Sequence, residues 1–137
     1  VKYRGLYTLS KRILRLFLKR FPELRKLKKP INIAIDQSHR IPLTFVLVER
    51  NFYSLAYVQS KADISHAIER TSQFVKDLMK EESFKGINSN LIVMFPSKLA
   101  WLGKEVNSSK NDGINIIGLP LSEKEMSFLI RGLVHYS

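Results

Sequence analysis

Four residues at the ends of predicted strands have side chains suited to metal-assisted cleavage of a phosphodiester bond. The stretch LAYVQSK alternates apolar and polar residues, as a strand does, and ends in Gln59-Ser60-Lys61. Asp36 and Glu49 end the two strand-like runs before it, and a hairpin would let Glu49 face Lys61. Magnesium takes oxygen ligands, commonly carboxylates, and activates water for attack on a phosphate. In the alternative interpretation, Asp36 caps a turn and Glu49 pairs with a surface base.

Other residue types that do chemistry are few and scattered. The three histidines, His39, His66 and His135, lie far apart in sequence, so they form no His-x-x-x-His metal pair. The chain has no cysteine, which excludes disulfides and thiolate metal sites. None of its six glycines belongs to a phosphate-cradling loop. We therefore expect no cofactor, with Mg²⁺ required only if the four strand-end residues form an active site.

The charge of the chain is concentrated in its first segment. The formal net charge is +11, and residues 1–30 contain eleven Lys and Arg against one acid, Glu23. A concentrated basic segment on a near-neutral body indicates a polyanionic partner, here nucleic acid. A solvated face and an anionic membrane surface are the alternatives. The predicted nucleic-acid-binding residues are Lys2, Arg4, Lys11, Arg12, Arg15, Lys19 and Lys61.

The helical wheel of this first segment separates its apolar and basic residues. Apolar residues at helical spacing share one side, and they are Leu9, Ile13, Leu16, Phe17 and Leu24. Lys11, Arg12, Arg15 and Lys19 fall on the other side. The segment is therefore predicted to dock on a sheet by one face and to meet phosphates with the other.

Periodicity and turn signals predict nine elements in the order α, β, β, β, α, β, α, β, α. The predicted helices cover residues 8–29, with a possible break near Pro22, and 62–82, 98–106 and 122–136; the strands cover 31–36, 43–50, 52–60, 90–96 and 114–120. Asn51 is predicted to mark a hairpin turn, Asp63 or Ser65 to cap the second long helix, and Ser122 with Glu125 to form a capping box at the last. The fold class is a single α/β domain over 1–137, with a mixed central sheet flanked by helices.

Three short motifs accompany this order of elements. Tyr3-Arg4-Gly5 precedes the first helix, Pro42-Leu43-Thr44 opens the second strand, and Gln59-Ser60-Lys61 follows the third. Over residues 3–96 the chain resembles the αβββαβ core of the PD-(D/E)XK nucleases, which include restriction endonucleases, and among them the archaeal Holliday junction resolvases. The resemblance implies binding of structured or junction DNA, a role in recombination and repair, and a homodimer.

The catalytic acids of that family are missing at the matching positions. The family's first-helix glutamate is absent from Leu9-Ser10-Lys11, its Pro-Asp becomes Pro42-Leu43, and its acid-x-Lys becomes Gln59-Ser60-Lys61. One neutral Gln oxygen is a weak anchor for Mg²⁺. We therefore expect a DNA-binding protein without metal-dependent cleavage, whose degenerate motif retains Gln59 and Lys61.

Two other functions remain open from the sequence. The chain can be an active Mg²⁺-dependent endonuclease in which Asp36 and Glu49 replace the missing acids, or a protein-interaction subunit whose basic helix binds an acidic partner. Apolar residues that pack in the core or in a dimer interface occur near Trp101 and in the tail, at Phe128, Leu129, Ile130, Leu133 and Val134. Because no apolar run approaches the roughly 18 residues of a spanning helix, we expect a cytoplasmic protein that does not enter the membrane.

Overall fold

The computed structural model describes the backbone of residues 2–26, 32–36, 41, 43–109 and 113–136. Side chains are described for residues 11–24, 41, 43–109 and 113–129. In this part of the chain, four α-helices and five strands follow one another in the predicted order. They are α1 Lys2–Arg20, β1 Asn32–Asp36, β2 Leu43–Val48, β3 Asn51–Tyr57, α2 Lys61–Leu78, β4 Asn88–Pro96, α3 Ala100–Ser108, β5 Ile114–Leu121 and α4 Glu123–Tyr136. The predicted α/β class, with one mixed sheet flanked by helices, is confirmed.

The first helix starts earlier than predicted and breaks where predicted. It begins at Lys2, so Tyr3-Arg4-Gly5 lies inside α1 and does not precede it. It ends at Arg20, and a short 3₁₀ turn over Pro22–Lys26 follows. Proline lacks the N–H that a continuing α-helix would need and its ring crowds the preceding turn, which explains the break.

The sheet has the spatial order β1-β2-β3-β4-β5. The first three strands form an antiparallel meander, and β3, β4 and β5 run parallel. Parallel neighbours need long crossover connections, which α2 and α3 supply. Because β3, β4 and β5 run in one direction, their carboxyl ends meet at one edge of the sheet and their amino ends at the other.

Alternate residues of the strands build a separate core on each face of the sheet. Phe45 and Phe52 pack with the α2 and α3 side chains, and the Phe45 and Phe74 rings stack with centroids 4.0 Å apart. Val46 and Leu55 have the opposite alternation and pack instead with α1 and α4. The two faces therefore carry different helix pairs, with α1 and α4 together on one of them.

The hairpin between β2 and β3 turns one position earlier than predicted. Val48 pairs with Asn51, so Asn51 begins β3 and the two turn residues are Glu49 and Arg50. Glu49 has a φ of 55°. A left-handed first turn residue suits a two-residue hairpin, because its twist matches that of the strands.

Within the part of the chain that the structure describes, no helix combines the length and apolarity needed to cross a lipid bilayer.

Candidate nucleic-acid interface

Helix α1 presents a basic surface to solvent because its apolar face is held against the sheet. Ile13 and Phe17 are fully buried in the core formed with β2, β3 and β4. Lys11, Arg15 and Lys19 are exposed. We call these three residues the α1 basic face. The predicted separation of apolar and basic sides is confirmed for Lys11, Arg15 and Lys19.

Arg12 belongs to the packing between helices and does not share the exposure of its neighbours. Its Nη1 donates a hydrogen bond to the carbonyl oxygen of Phe128 at 2.9 Å, and its guanidinium lies 4.6 Å from the centroid of the Phe128 ring. The prediction that Arg12 faces phosphates is therefore corrected: it is half-buried and joins α1 to α4. Lys2 and Arg4 lie in the first turns of α1, and their side chains are outside the described residues.

A buried carboxylate on α4 orients the end of α1. Arg20 Nη2 lies 2.8 Å from Glu125 Oε1, and Lys19 Nζ lies 3.8 Å from Glu125 Oε2. Glu125 Oε1 also accepts the backbone N–H of Ser122 at 3.1 Å, while Ser122 Oγ accepts that of Glu125 at 3.2 Å. The predicted capping box is confirmed, and its Glu125 carboxylate also forms an ion pair with Arg20 of α1.

The ionised form of Glu125 is favoured by these bonds. Burial alone would raise the pKa of Glu125, but hydrogen bonds from Arg20 and Ser122, together with the positive charge of Arg20, outweigh it and lower the pKa below its ordinary value. The carboxylate therefore stays charged at neutral pH and keeps α1 and α4 joined.

The Gln59-Ser60-Lys61 triplet is the start of a helix. Val58 is the last residue to bond across to β4, its N–H donating to Met94 O at 2.9 Å. Ser60 is the N-cap of α2, and its Oγ accepts the Asp63 N–H at 3.2 Å. Asp63 Oδ2 accepts the Gln59 N–H at 3.1 Å in return.

The prediction that Asp63 or Ser65 caps this helix is therefore corrected to Ser60. The signal was present in the sequence, because Ser60-x-x-Asp63 has the spacing of a capping box. Asp63, buried at this turn, was also missed as a residue close to Gln59.

The functional groups of Gln59 and Lys61 point to different partners. Gln59 Nε2 donates to the Tyr57 hydroxyl at 3.0 Å. Lys61 Nζ lies 3.8 Å from Glu105 Oε2 on α3, with 72% of its side chain exposed. Lys61 can therefore reach a phosphate at the surface, but its nearest described acid belongs to another helix.

Leu43, the residue after Pro42, faces away from Gln59. Leu43 is 1% exposed in the core under α2 and α3. Tyr57, which receives the Gln59 bond, packs against the opposite core under α1 and α4. Pro42 is outside the described residues. An acid at position 43 would point into the wrong face of the sheet to share a metal with Gln59.

Glu49 lies at the wrong end of the hairpin to join the other strand-end residues. It occupies the turn before β3, whereas Gln59 and Lys61 follow the seven residues of β3. At about 3.3 Å per residue, the strand separates them by more than about 20 Å. The expectation that Glu49 faces Lys61 across the hairpin is wrong, because the two residues flank opposite ends of β3.

Asp36 lies at the same end of the sheet as Gln59. Its backbone pairs with Leu43, which pairs with Ala56 near the end of β3. Two strand spacings, about 10 Å, therefore separate the Asp36 and Ala56 backbones. The Asp36 side chain is outside the described residues. The strand register is therefore compatible with Asp36 as a replacement acid near Gln59 and excludes Glu49 from that role.

Among the described side chains, no three His, Asp or Glu residues cluster as metal ligands would.

The structure also bears on two expectations for apolar residues, at Trp101 and in the tail. Trp101 is 49% exposed while its neighbour Leu102 is fully buried. The alternative that Trp101 packs in the core is therefore wrong, and its role in a protein interface stays a prediction. In the tail, Leu129 is fully buried and belongs to the core.

Comparison with known proteins gives no family: no protein-family model, no curated protein and no solved structure matches the chain.

Proposed function

We propose that this chain is a nucleic-acid-binding domain that contacts the phosphate backbone through the α1 basic face. The observation that carries the proposal is the exposure of Lys11, Arg15 and Lys19 on a helix whose other face is held by buried Ile13 and Phe17. A helix fixed in this way presents its charges on a rigid backbone, so little backbone conformational freedom is lost on binding. Phosphate contacts of this kind supply most of the non-specific affinity for nucleic acids.

The finer part of the proposal is that the ligand is DNA with a structured form, such as a four-way junction. The resemblance to archaeal Holliday junction resolvases supports it, as does the antiparallel meander followed by parallel crossovers, which fits the αβββαβ order of that family. Within this proposal, Lys61 is a secondary phosphate contact beside the α2 N-terminus.

We further propose that the domain binds without cleaving. Gln59 directly precedes the N-cap of α2, and Leu43 is buried in the core under α2 and α3. Glu49 lies at the far end of the β2–β3 hairpin. None of these three residues therefore places a carboxylate beside Lys61. Mg²⁺ keeps its waters unless charged oxygen ligands replace them, so a strong metal site is not expected here.

The second candidate is a Mg²⁺-dependent endonuclease, and one observation favours it. The strand register brings the Asp36 backbone to the sheet edge where Gln59 and Asp63 lie. In that case Asp36 and Asp63, with Gln59 and Lys61, would supply the metal and phosphate contacts.

A binding assay tests the first candidate. The wild-type chain should bind labelled four-way junction, duplex and single strand, and Lys11→Gln, Arg15→Gln and Lys19→Gln combined should weaken all three. Losing three phosphate contacts should flatten the log–log salt slope by about 3 units on duplex. The control removes the same charge from the α2 side through Lys76→Gln, Lys80→Gln and Lys85→Gln, and should leave affinity within about twofold. Equal losses in the two variants would place the contact elsewhere.

The same substrates with Mg²⁺ or Mn²⁺ separate the two candidates. Intact junction after prolonged incubation is the result expected of a binder. If the chain cuts the junction, and Asp36→Asn abolishes cutting but not binding, the chain is an endonuclease and the proposal is overturned. Glu49→Gln is the matched control, because its position at the far end of β3 leaves it no role in either candidate.

A further inference from the structure

A polar cleft lies at the amino ends of the parallel strands, opposite the edge that holds Gln59. It has a volume of about 610 Å³. Its polar lining consists of Asn51, Tyr53, Asn88, Ser89, Asn90 and Asn115. Four asparagines at one sheet edge are unusual, because asparagine is depleted from strands.

The strand register aligns the four carboxamides. Asn51 pairs with Asn88 across β3 and β4, and Asn90 pairs with Asn115 across β4 and β5. Asn88 Nδ2 donates to Asn51 Oδ1 at 3.3 Å, and Asn115 Nδ2 donates to Asn90 Oδ1 at 3.3 Å. Asn90 Nδ2 in turn donates to the Phe52 carbonyl at 3.2 Å. These bonds hold the amides in a fixed row.

The row keeps hydrogen-bonding capacity for a ligand. A carboxamide has two N–H donors and one oxygen acceptor, so these bonds use only part of each group. Among the described side chains, the oxygens of Asn88 and Asn115 accept no hydrogen bond, and both residues are exposed. If a carboxamide is rotated by 180°, its oxygen and nitrogen exchange places. The row therefore offers both donors and acceptors to a ligand in either orientation.

Ser89 borders the cleft but adds no hydroxyl to the row of amides. It lies between Asn88 and Asn90 and pairs with Phe52, whose ring packs under α2 and α3, so the Ser89 side chain is on the other face of the sheet. The hydrogen-bonding groups offered to a ligand are therefore those of the asparagines and of Tyr53.

The chemistry of the lining selects a neutral ligand with its own donors and acceptors. None of the six polar lining residues carries a formal charge at neutral pH, and burial, assisted by the negative charge of Glu23, raises the pKa of Tyr53 and keeps its hydroxyl protonated. A phosphate would find no cation among these described lining residues. A nucleobase edge, by contrast, pairs donor with acceptor, and asparagine is well suited to adenine.

The cleft lies beside the helix that carries the α1 basic face. Residues 51, 53, 88, 90 and 115 occupy the same alternating positions as Leu55 and Ile92, which face α1 and α4. The Tyr53 ring lies 5.0 Å from the ring of Phe17 on α1. A nucleic acid whose phosphates follow α1 would therefore pass near the cleft.

We propose that the asparagine cleft binds an unpaired base of the nucleic acid held by the α1 basic face. This inference rests on the proposed function and adds to it a preference for single-stranded or locally unpaired segments. A neutral carbohydrate shares the hydrogen-bonding chemistry, but the concentrated positive charge on the adjacent helix favours a polyanion that carries bases.

The test compares ligands that differ only in a base. Two single-stranded oligonucleotides of equal length and charge are used, one with adenines throughout and one with abasic sites at its centre. The wild-type chain should bind the complete strand about fivefold or more tightly than the abasic one. Asn88→Ala with Asn115→Ala should bind both strands equally, at the wild-type affinity for the abasic strand. Asn107→Ala, an exposed asparagine on α3, is the control and should retain the discrimination.

The outcomes separate this inference from the proposed function. If the double variant still discriminates fivefold, bases are read elsewhere and the cleft inference is overturned, while backbone binding stands. If the wild-type chain binds neither strand, the proposed function itself fails and the inference with it. Side-chain amide signals of Asn88 and Asn115 that shift with a neutral oligosaccharide but not with the oligonucleotide would identify a carbohydrate site instead. Thermal unfolding within a few degrees of wild type confirms that the variants are folded.

Discussion

The hydroxyl of Ser60 illustrates how a single residue changes the meaning of a motif. As part of an acid-x-Lys pattern, position 60 is only a spacer. In the structure it is the N-cap of α2, and its Oγ satisfies a backbone N–H that has no partner within the helix. The helix cap therefore accounts for the positions of Gln59 and Lys61 without any bound ligand.

Ser60→Ala should therefore lower the free energy of unfolding by about 1 kcal/mol, because it leaves the Asp63 N–H without its acceptor. Urea denaturation measures the change. Ser65→Ala alters an exposed serine within the same helix and should change stability by less than about 0.5 kcal/mol. Equal effects of the two substitutions would mean that the cap contributes nothing specific.

Among the elements, α1 and α4 depend on each other through Glu125. The carboxylate receives Arg20 from α1 and Ser122 from its own helix start, and only 6% of its side chain is exposed. The α1 basic face is therefore positioned from two sides, by apolar contacts with the sheet and by this ion pair with α4. Loss of the carboxylate would remove the contacts of both Arg20 and Lys19 with α4.

Glu125→Gln should lower the free energy of unfolding at pH 7 by about 1–3 kcal/mol, since hydrogen bonds to a charged group are lost. The folded-state pKa of Glu125 is lowered, so its contribution is fully present above the unfolded pKa and is lost as pH falls through the folded pKa. The difference between wild type and variant should therefore shrink below about pH 4.

Denaturant unfolding at pH 7 and pH 3 measures this dependence. Glu123→Gln removes an exposed acid from the same first turn and should cost little at either pH. If Glu125→Gln lowered the free energy of unfolding by the same amount at both pH values, the shape of the side chain, and not its charge, would account for the effect.

At the scale of the whole molecule, the proposed junction ligand bears on the oligomeric state of the chain. A self-complementary dimer matches a four-way junction, and the resemblance to resolvases implies one. The buried position of Leu129 assigns that part of the tail to the core. Trp101, 49% exposed, is the large apolar side chain that remains accessible among the described residues.

We predict a homodimer at micromolar concentration, with Trp101 in its interface. Trp101→Ala should weaken dimerisation about tenfold or more, because truncating a buried interface tryptophan commonly costs 2 kcal/mol or more, about thirtyfold in Kd. Light scattering across a dilution series measures it, and Lys104→Ala on the same helix is the control. A monomeric wild-type chain, with and without junction DNA, would refute the prediction.

The sequence by itself determined the elements and the location of the charge. Apolar residues at periods of 2 and 3.6 identified the five strands and four α-helices that the structure describes, and the α/β class follows from their order. Pro22 marked the break after α1, Ser122 and Glu125 marked the start of α4, and the excess of Lys and Arg marked the basic helix. All of these are local signals, carried by residues a few positions apart.

Only the tertiary structure decided which of these residues meet. Strand register placed Asp36 at the end of the sheet near Gln59 and Glu49 at the other end, and packing between helices withdrew Arg12 from the surface. Asn90 and Asn115 lie 25 positions apart, and their neighbourhood exists only because β4 and β5 pair in one register. Local periodicity cannot encode such pairs, because the register is selected by the burial of whole strand faces and not by any single residue.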